Sequence, residues 1–208
     1  MIRVLVANIK GGCGKTTIAT NLAAAFANAG HATALADVDR QRSSLGWLER
    51  RPASAAPIRG LDWTRDISAP PGGLDRLVID APAAMKSKAM EELVAEADII
   101  VLPVLPGAFD EQATERFLSK LDELKPIRKN RKAVAVVGNR LRARTRAAER
   151  LDGFLGTVGH QVVARLRDSQ AYADAAASGL SLFDQKGARI LEVRGDWAPL
   201  LAYIGDAG

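Results

Sequence analysis

A glycine-rich stretch near the start of the chain restricts its possible folds more than any other feature of the sequence. Residues 9 to 22 read IKGGCGKTTIATNL, with three glycines inside four positions. Residues 2 to 9 form a nearly continuous apolar run, which is typical of a strand covered on both faces. After the glycines, Ile18, Leu22 and Phe26 recur every four residues and define one face of a helix. A strand, a glycine-rich loop and a helix in this order predict a phosphate-binding loop.

The chemistry expected of this loop follows from its residue types. Glycines let the backbone N–H groups turn inward around phosphate oxygens, and the amino terminus of the helix adds partial positive charge. Lys15 is predicted to contact the β and γ phosphates, the Thr16 hydroxyl to bind Mg²⁺, and Thr17 to contact the α phosphate. The backbone N–H groups around the phosphates are expected from Gly11, Gly12, Cys13 and Gly14. ATP and Mg²⁺ are therefore the expected cofactors.

The rest of the chain alternates between predicted strands and helices. Further strands are expected at 32–39, 74–82, 97–104, 132–139 and 161–166. Further helices are expected at 110–124 with Asp110 as the N-cap, from Thr145 to about Leu155, at 169–178, and at 187–204 with interruptions at Gly195 and Pro199. This alternation predicts one α/β domain over residues 1–208, with a single doubly wound, mostly parallel sheet and helices on both faces. The loop-rich segment 51–73 is expected to add a short edge strand.

Composition argues against several other classes of protein. The chain is 48% apolar and 25% charged, and no apolar run approaches the roughly 20 residues that a membrane span needs. The single cysteine, Cys13, excludes an internal disulfide framework, and the distant His31 and His160 do not indicate a zinc site. Since the amino terminus lacks the features of an export signal, a cytoplasmic location is expected.

Three carboxylates follow predicted strands, at the edge where open α/β sheets bind their ligands. Asp37 and Asp39 end the second strand, and Asp80 ends the apolar run at 77–79. Because phosphoryl transfer depends mainly on positioning and charge neutralisation, a carboxylate beside Mg²⁺ and water is a sufficient catalyst. Asn139 ends a later strand, where it is either an amide that contacts the nucleotide base or an ordinary turn residue.

An ordinary phosphate loop has no requirement for a second lysine at its start, and Lys10 makes the pattern more specific. KGGCGKTT (10–17) resembles the deviant Walker A motif of the ParA/MinD family of cytoplasmic ATPases. The resemblance covers most of the chain and is strongest at 9–17, 35–42 and 77–82. In that family the first lysine reaches across a nucleotide-sandwich dimer to the phosphates of the partner. The resemblance therefore implies that Lys10 acts in an ATP-bound homodimer.

The same resemblance implies roles for the three carboxylates. Asp39 corresponds to the residue that orients the attacking water, so that Lys10, Lys15 and Asp39 form the expected catalytic set. Asp37 would lie behind the ligands of Mg²⁺, and Asp80, at the Walker B position, would hold the ion through a water. Arg40 departs from the family pattern, which usually has a proline at this position.

The positive charge of the chain is concentrated in one segment. The net charge is +5, and residues 125–150 contain ten Lys or Arg with one acid, while acidic residues outnumber basic ones elsewhere. Such a segment on an otherwise acidic protein is typical of a surface that binds a polyanion. Together with the resemblance to small ParA-type partition ATPases, it predicts nonspecific DNA binding by Arg140, Arg142, Arg144, Arg146, Arg150 and Arg167.

The resemblance implies that the protein positions a cargo. ATP dimers would bind nucleoid DNA, and a cargo-bound, ParB-like partner would stimulate hydrolysis and release. The cargo stays open between a plasmid, a chromosomal region, a chemoreceptor cluster and a carboxysome. Two other functions also stay open: a P-loop enzyme using ATP on a small molecule, as in dethiobiotin synthetase relatives, and a MinD-like positioning ATPase. A MinD-like protein would end in a basic amphipathic helix, whereas glycine and proline interrupt the tail at 189–208, so no stable membrane association is expected.

Overall fold

The strands of the protein form one parallel sheet. The computed structural model describes residues 1–85, 87–129 and 131–206. Within these residues the sheet contains β1 (Ile2–Val6), β2 (Thr33–Asp37), β3 (Arg59–Asp62), β4 (Arg76–Asp80), β5 (Ile99–Val104), β6 (Ala133–Leu141) and β7 (Gln161–Arg167). Their order is β3-β2-β4-β1-β5-β6-β7, and every neighbouring pair is parallel. The predicted doubly wound α/β fold is confirmed, and β3 is the edge strand expected from the loop-rich segment.

Helices connect the strands and cover both faces of the sheet. They are α1 (Lys15–Asn28), α2 (Ser43–Glu49), α3 (Ser87–Glu96), α4 (Ala108–Glu123), α5 (Lys125–Arg128), α6 (Arg146–Leu155), α7 (Ala171–Ala177), α8 (Ala188–Gly195) and α9 (Ala198–Asp206). Strand residues alternate between two hydrophobic cores, as a pleated strand requires. In β1, Leu5 belongs to the core with α3, α4 and α6, whereas Val4 and Val6 belong to the core with α1 and α9.

The carboxyl terminus differs from its predicted form, because the expected helix at 187–204 is two helices. α8 ends at Gly195 and α9 begins at Ala198, so that Pro199 lies in the first turn, where its missing N–H costs nothing. Leu200 and Ile204 of α9 are buried in the core that contains α1. Among the described helices, none combines the length and the apolar character required to cross a lipid bilayer.

Three further differences concern helices: one begins earlier than predicted, and two were not predicted. α4 begins at Ala108 with Gly107 as its N-cap, and the predicted N-cap Asp110 lies inside the first turn. The helix starts early because the Gly107 carbonyl accepts hydrogen bonds from the N–H groups of Asp110 and Glu111, both at 2.9 Å. α2 was not predicted, since seven residues are too few to repeat a helical apolar pattern. α3 was also not predicted.

Candidate functional site

The phosphate loop follows β1, next to the middle of the sheet, and ends where α1 begins. Gly12 and Gly14 have φ angles of +75° and +94°, in the left-handed region that glycine adopts without strain. A Cβ on Gly14 would lie 2.4 Å from Nδ2 of Asn139. That Nδ2 donates a hydrogen bond of 2.8 Å to the Cys13 carbonyl. Asn139 therefore fastens the loop to the end of β6, and its close approach together with the positive φ requires a glycine at position 14.

Cys13 is enclosed by this loop. Its side chain is 1% exposed, and its Sγ donates a hydrogen bond of 3.2 Å to the Lys10 carbonyl. Burial raises the pKa of the Cys13 thiol, against the effect of the nearby Lys15 ammonium. A protonated, enclosed thiol is unreactive. The backbone N–H of Cys13 is therefore its relevant group for phosphate binding.

The two lysines of the loop occupy different positions. Lys15 is 7% exposed, and its Nζ donates a hydrogen bond of 3.1 Å to the Lys10 carbonyl, so its charge lies inside the loop. The Lys10 side chain is 39% exposed, and its Nζ lies 3.9 Å from a carboxylate oxygen of Asp110. Lys15 is thus placed to contact a phosphate held by its own chain. Lys10 lies at the outer surface of the loop.

Asp37 and Asp80 end neighbouring strands and lie opposite each other in the register of β2 and β4. Both side chains are buried. The Asp37 carboxylate accepts hydrogen bonds from the N–H groups of Asp39 at 3.0 Å, Ser44 at 3.0 Å and Leu45 at 3.1 Å. It therefore holds the turn after β2 and the start of α2. In contrast, Oδ1 of Asp80 has no hydrogen-bond partner among the described residues.

The surroundings of Asp80 fit a magnesium ion. Burial raises the pKa of Asp80 to about 7, and the negative charge of Asp37 adds to the rise, while the Thr16 hydroxyl and the Lys15 ammonium oppose it. Mg²⁺ prefers oxygen ligands and is usually bound by one or two carboxylates or hydroxyls together with substrate phosphates. The unpartnered carboxylate oxygen of Asp80 and the nearby Thr16 hydroxyl supply such ligands beside the phosphate loop.

Asp39 lies in the turn between β2 and α2. Its carboxylate accepts a hydrogen bond of 3.0 Å from the N–H of Gln41. Together with the exposed Arg40, it lines a groove of about 750 Å³ whose opposite wall contains residues 82–85, directly after β4. The carboxylate expected to orient water therefore lies in the loop after β2 and shares a groove with the loop after β4.

A pocket of about 440 Å³ opens beside the start of α1. Thr17 lines it from the first turn of α1, and Tyr172 and Trp197 line it from the carboxyl-terminal part of the chain. Its volume lies within the range of small-ligand sites, and its position next to the phosphate loop suits the nucleoside part of ATP. Asn139 also lines this pocket, but its amide group donates to the loop and its carbonyl accepts from the N–H of Arg140 at 3.0 Å. Its contact with the base stays a prediction.

The basic segment 125–150 is divided by the fold into two groups of cations. β6 runs through the segment for nine residues, so that its first and last residues are roughly 26 Å apart at 3.3 Å per step. The cations before β6 lie at the amino edge of the sheet, and those after β6 lie at the carboxyl edge, where the phosphate loop also lies. The single patch expected from the sequence is therefore two separate patches.

Three of the six arginines predicted to contact DNA have carboxylate partners. The pairs are Arg142 with Asp168 at 2.8 Å, Arg150 with Glu111 at 3.1 Å, and Arg167 with Asp196 at 2.7 Å. The other three, Arg140, Arg144 and Arg146, are exposed and lie more than 4.0 Å from every carboxylate of the described residues. Arg140 and Arg144 have φ angles of +53° and +60°, a backbone conformation that costs free energy for any residue with a Cβ.

Two residues that support the phosphate loop were not identified from the sequence. Asp110 was predicted only as a helix cap, whereas its carboxylate lies beside Lys10. Asn8 is buried, and its Nδ2 donates a hydrogen bond of 2.8 Å to the Pro103 carbonyl while its Oδ1 accepts from the N–H of Lys10 at 3.1 Å. An amide inside an apolar strand pattern was the available signal for Asn8.

A phosphate loop after a central parallel strand, with carboxylates at the ends of β4 beside it and of β2 next to β4, defines a P-loop nucleotide-binding protein. Comparison with protein families agrees with this class. Residues 4–183 match the model described as the CobQ/CobB/MinD/ParA nucleotide binding domain. The chain therefore belongs to this family of nucleotide-binding ATPases, as its resemblance to ParA/MinD proteins implied.

The chain is also similar to individual proteins, both in sequence and in structure. "Maintenance of carboxysome distribution protein A" from Halothiobacillus neapolitanus is 29% identical over 191 residues, which cover 88% of this chain and 87% of the relative. Among solved structures, Cyanothece McdA in an ATP complex has a TM-score of 0.74 at 16% identity, covering 100% of this chain and 96% of that one. The Aquifex aeolicus MinD cell division protein also has a TM-score of 0.74 at 16% identity, covering 97% of each chain. At these identities the solved structures establish the shared fold.

Proposed function

We propose that this protein is a ParA-type ATPase that dimerises around two ATP molecules, binds DNA without sequence specificity in that state, and positions a large cargo. A cargo-bound, ParB-like partner stimulates hydrolysis, after which the dimer separates and releases the DNA. The protein acts in the cytoplasm, associated with the nucleoid and without stable attachment to a membrane.

The different positions of the two loop lysines carry this proposal. Lys15 lies inside the loop and is sufficient for a phosphate bound by its own chain. Lys10 lies at the outer surface of the loop, with 39% of its side chain exposed and one ion-pair contact, to Asp110, at 3.9 Å. An exposed cation beside a phosphate site can reach phosphates that a second protomer presents. An enzyme that uses ATP within one chain has no need of it.

The other site residues divide the catalytic work. Lys15 and the N–H groups of the loop stabilise the charge of the phosphates, and Asp39 orients the attacking water. Thr16 and Asp80 hold Mg²⁺, and Asp37 fixes the turn that carries Asp39. When bound, Mg²⁺ supplies charge neutralisation at the β and γ phosphate oxygens.

DNA binding in this proposal depends on the cations at the carboxyl edge that lack carboxylate partners: Arg140, Arg144 and Arg146. A paired arginine must first lose its partner, so Arg142, Arg150 and Arg167 contribute less to DNA affinity. Dimerisation doubles the number of phosphates contacted. Since each contact adds about 0.9 to the slope of log affinity against log salt, three contacts give a slope of about 2.7 and six give about 5.4.

The name of one relative supports a choice of cargo. Its name describes the distribution of carboxysomes, and it matches nearly the whole of this chain. A carboxysome, or a protein assembly of similar size, is therefore the cargo proposed first, ahead of a plasmid or a chromosomal region.

The test is a DNA mobility shift with ATP, with ADP and without nucleotide, at several salt concentrations. Arg144→Asn with Arg146→Gln removes two cations, and asparagine tolerates the positive φ at position 144. We expect ATP to increase the affinity of the wild type and the double variant to lose most of this increase, with a slope lower by about 3.6. Arg59→Gln with Arg189→Gln, two exposed arginines elsewhere, is the control for net charge. A wild type that binds DNA equally with and without ATP contradicts the proposal.

A further inference from the structure

A group of four exposed cations lies at the amino edge of the sheet, opposite the edge that carries the phosphate loop. This amino-edge cluster consists of Lys125, Arg128, Lys129 and Arg131, around α5 and the start of β6. None of the four lies within 4.0 Å of a carboxylate of the described residues. Because like charges repel one another, an anionic ligand that binds here relieves the repulsion within the cluster.

The carboxylates beside the cluster already have other partners. Arg128 and Arg131 line a groove of about 780 Å³ together with Asp98 and Asp122. The Asp98 carboxylate accepts a hydrogen bond of 2.8 Å from a backbone N–H, and Asp122 pairs with His160 at 2.9 Å. The two arginines of the groove are therefore available to a carboxylate from another molecule.

The groove also offers apolar surface to a ligand. Residues of α5 and α9 and the first residues of β5, β6 and β7 line it. Ala133 and Tyr203 are partly exposed in this lining, and Ile127 and Val134 contribute less, since each is 6% exposed. A ligand in the groove therefore covers an aromatic ring and aliphatic carbon as well as positive charge.

This combination fits a protein segment better than nucleic acid. Tyrosine and arginine are among the side chains that most often carry the binding energy of protein interfaces. A nonspecific DNA contact is made to phosphates and gains nothing from the apolar part of the lining. A DNA contact that acts without nucleotide would also oppose the release of DNA that the proposed function requires.

We propose that this groove binds an acidic segment of a partner protein. Carboxylates of the segment pair with Arg128 and Arg131, and one of its apolar or aromatic side chains packs against Tyr203. β6, whose first and last residues are roughly 26 Å apart, separates the groove from the nucleotide site, so the partner stays bound with and without ATP. Only the argument from DNA release rests on the proposed function.

The test measures binding of the nucleotide-free full-length chain to a labelled synthetic peptide of alternating glutamate and tyrosine by fluorescence anisotropy. A peptide with the same glutamates and serine in place of tyrosine, and a labelled DNA duplex, are the comparison ligands. The glutamate–tyrosine peptide should bind at least about tenfold more tightly than the glutamate–serine peptide, because only tyrosine can cover the apolar lining. Addition of ATP should leave its affinity within about threefold.

Variants locate the binding site. Arg128→Ala with Arg131→Ala should weaken binding of the glutamate–tyrosine peptide at least about tenfold. Arg59→Ala with Arg189→Ala removes the same net charge elsewhere and should leave the affinity within about threefold of wild type. Thermal unfolding verifies that each variant is folded.

Four results would overturn the inference. The first is a glutamate–tyrosine peptide that binds no more tightly than the glutamate–serine peptide, and the second is equal binding of the former by wild type and Arg128→Ala with Arg131→Ala. The third is binding that requires ATP. The fourth is DNA bound as tightly as the peptide and lost in the same variant, which would assign the cluster to nucleic acid.

The proposed function fails separately from this inference. If ATP produces neither a dimer nor DNA binding while peptide binding still depends on Arg128 and Arg131, the cargo-positioning proposal is contradicted and the docking site stands. If ATP-dependent dimers bind DNA while the peptide binds equally to wild type and the variant, the docking site is contradicted and the proposed function stands.

Discussion

Asp80 is a residue at which stability and nucleotide binding have opposite requirements. Its carboxylate is buried opposite Asp37, and burial raises its pKa to about 7. A carboxyl whose pKa is higher in the folded state than in the unfolded state stabilises the fold fully only below its unfolded pKa of about 3.9. That stability is lost as the pH rises through 7. Ionised Asp80 therefore lowers the stability of the empty protein, and in the proposed function it is the form that binds Mg²⁺.

The variant Asp80→Asn separates these two effects. Without nucleotide or Mg²⁺, we expect the variant to be more stable than wild type at pH 8, by on the order of 4 kcal/mol, since the pKa of Asp80 rises to about 7 and one pKa unit corresponds to about 1.4 kcal/mol. The difference should disappear below about pH 4, where both side chains are neutral. Denaturant unfolding at the two pH values measures it. Mg²⁺-dependent ATP affinity should fall in the same variant, and a variant less stable than wild type at pH 8 would contradict the assigned environment of Asp80.

Some site residues can be predicted from their position in the sequence, whereas their partners cannot. Lys15, Thr16 and Asp80 follow strands, and the ends of parallel strands must meet at one edge of the sheet. The bond from Asn139 to Cys13 joins residues 126 positions apart, and the Lys10–Asp110 pair depends on where α4 begins. Such contacts are set by tertiary packing, which local sequence patterns do not report.

At the scale of elements, α2 is anchored at both ends. The Asp37 carboxylate accepts from the N–H groups at its start. Beyond its end, the Arg51 side chain forms a buried ion pair of 2.7 Å with Asp184, and Trp47 donates a hydrogen bond of 3.0 Å to the Leu180 carbonyl. The turn at 38–42, which carries Asp39, is therefore held between fixed elements on both sides.

The ion pair between Arg51 and Asp184 gives a prediction for acid stability. Although burial alone would raise the pKa of Asp184, hydrogen bonds from Arg51, Asn28 and Ser181 lower it to about 2. Asp184→Asn should therefore lower the stability at pH 7 by about 2 kcal/mol, or roughly 4–8 °C in Tm for a chain of this size. The folded pKa is below the unfolded one, so this contribution is present above about pH 4 and is lost as the pH falls through 2.

Thermal and denaturant unfolding of wild type and Asp184→Asn between pH 7 and pH 2 measures this difference. Asp66→Asn, which changes an exposed aspartate, is the control and should leave the Tm within about 2 °C of wild type. If the difference in unfolding free energy between wild type and Asp184→Asn stays constant down to the lowest pH, the ion pair is not the source of that difference.

Two kinds of element can be predicted from the sequence: strands that are buried on both faces, and helices long enough to show a periodic apolar pattern. Continuous apolar runs predict β1, β2, β4, β5 and β6. A strand that is buried on both faces does not alternate between apolar and polar residues, so a short run is enough to identify it. α2 has only seven residues and two apolar anchors in the described core, Leu45 and Trp47, which is less than a helical pattern requires. The break between α8 and α9 was signalled by Gly195 and Pro199, but only packing of α9 on the sheet shows that both segments are helices.

At the scale of the whole molecule, ATP hydrolysis should control separation of the proposed dimer. Asp39→Ala removes the carboxylate that orients water while leaving the phosphate loop, Thr16 and Asp80 intact. We expect at least a tenfold slower turnover, consistent with the loss of a catalytic group, and a persistent ATP-bound dimer on DNA. Phosphate release and size-exclusion chromatography with ATP measure the two effects. Asp66→Ala changes an exposed aspartate of the same groove and should turn over like wild type. Normal turnover in Asp39→Ala would move the catalytic role to another residue.

The central claim is that the two lysines of the loop act on different protomers. Lys15→Ala should lose nucleotide binding and, with it, dimerisation. Lys10→Ala should keep nucleotide binding, because Lys15 and the loop N–H groups remain, and should fail to dimerise. Lys120→Ala, at an exposed position of α4, controls for the loss of one positive charge.

The most direct measurement is light scattering with ATP on Lys10→Ala, combined with a nucleotide titration of the same sample. The account predicts a monomer whose nucleotide affinity stays within about threefold of wild type, less than the 1.4 kcal/mol that a tenfold change represents. An ATP-dependent dimer as stable as that of wild type would contradict it.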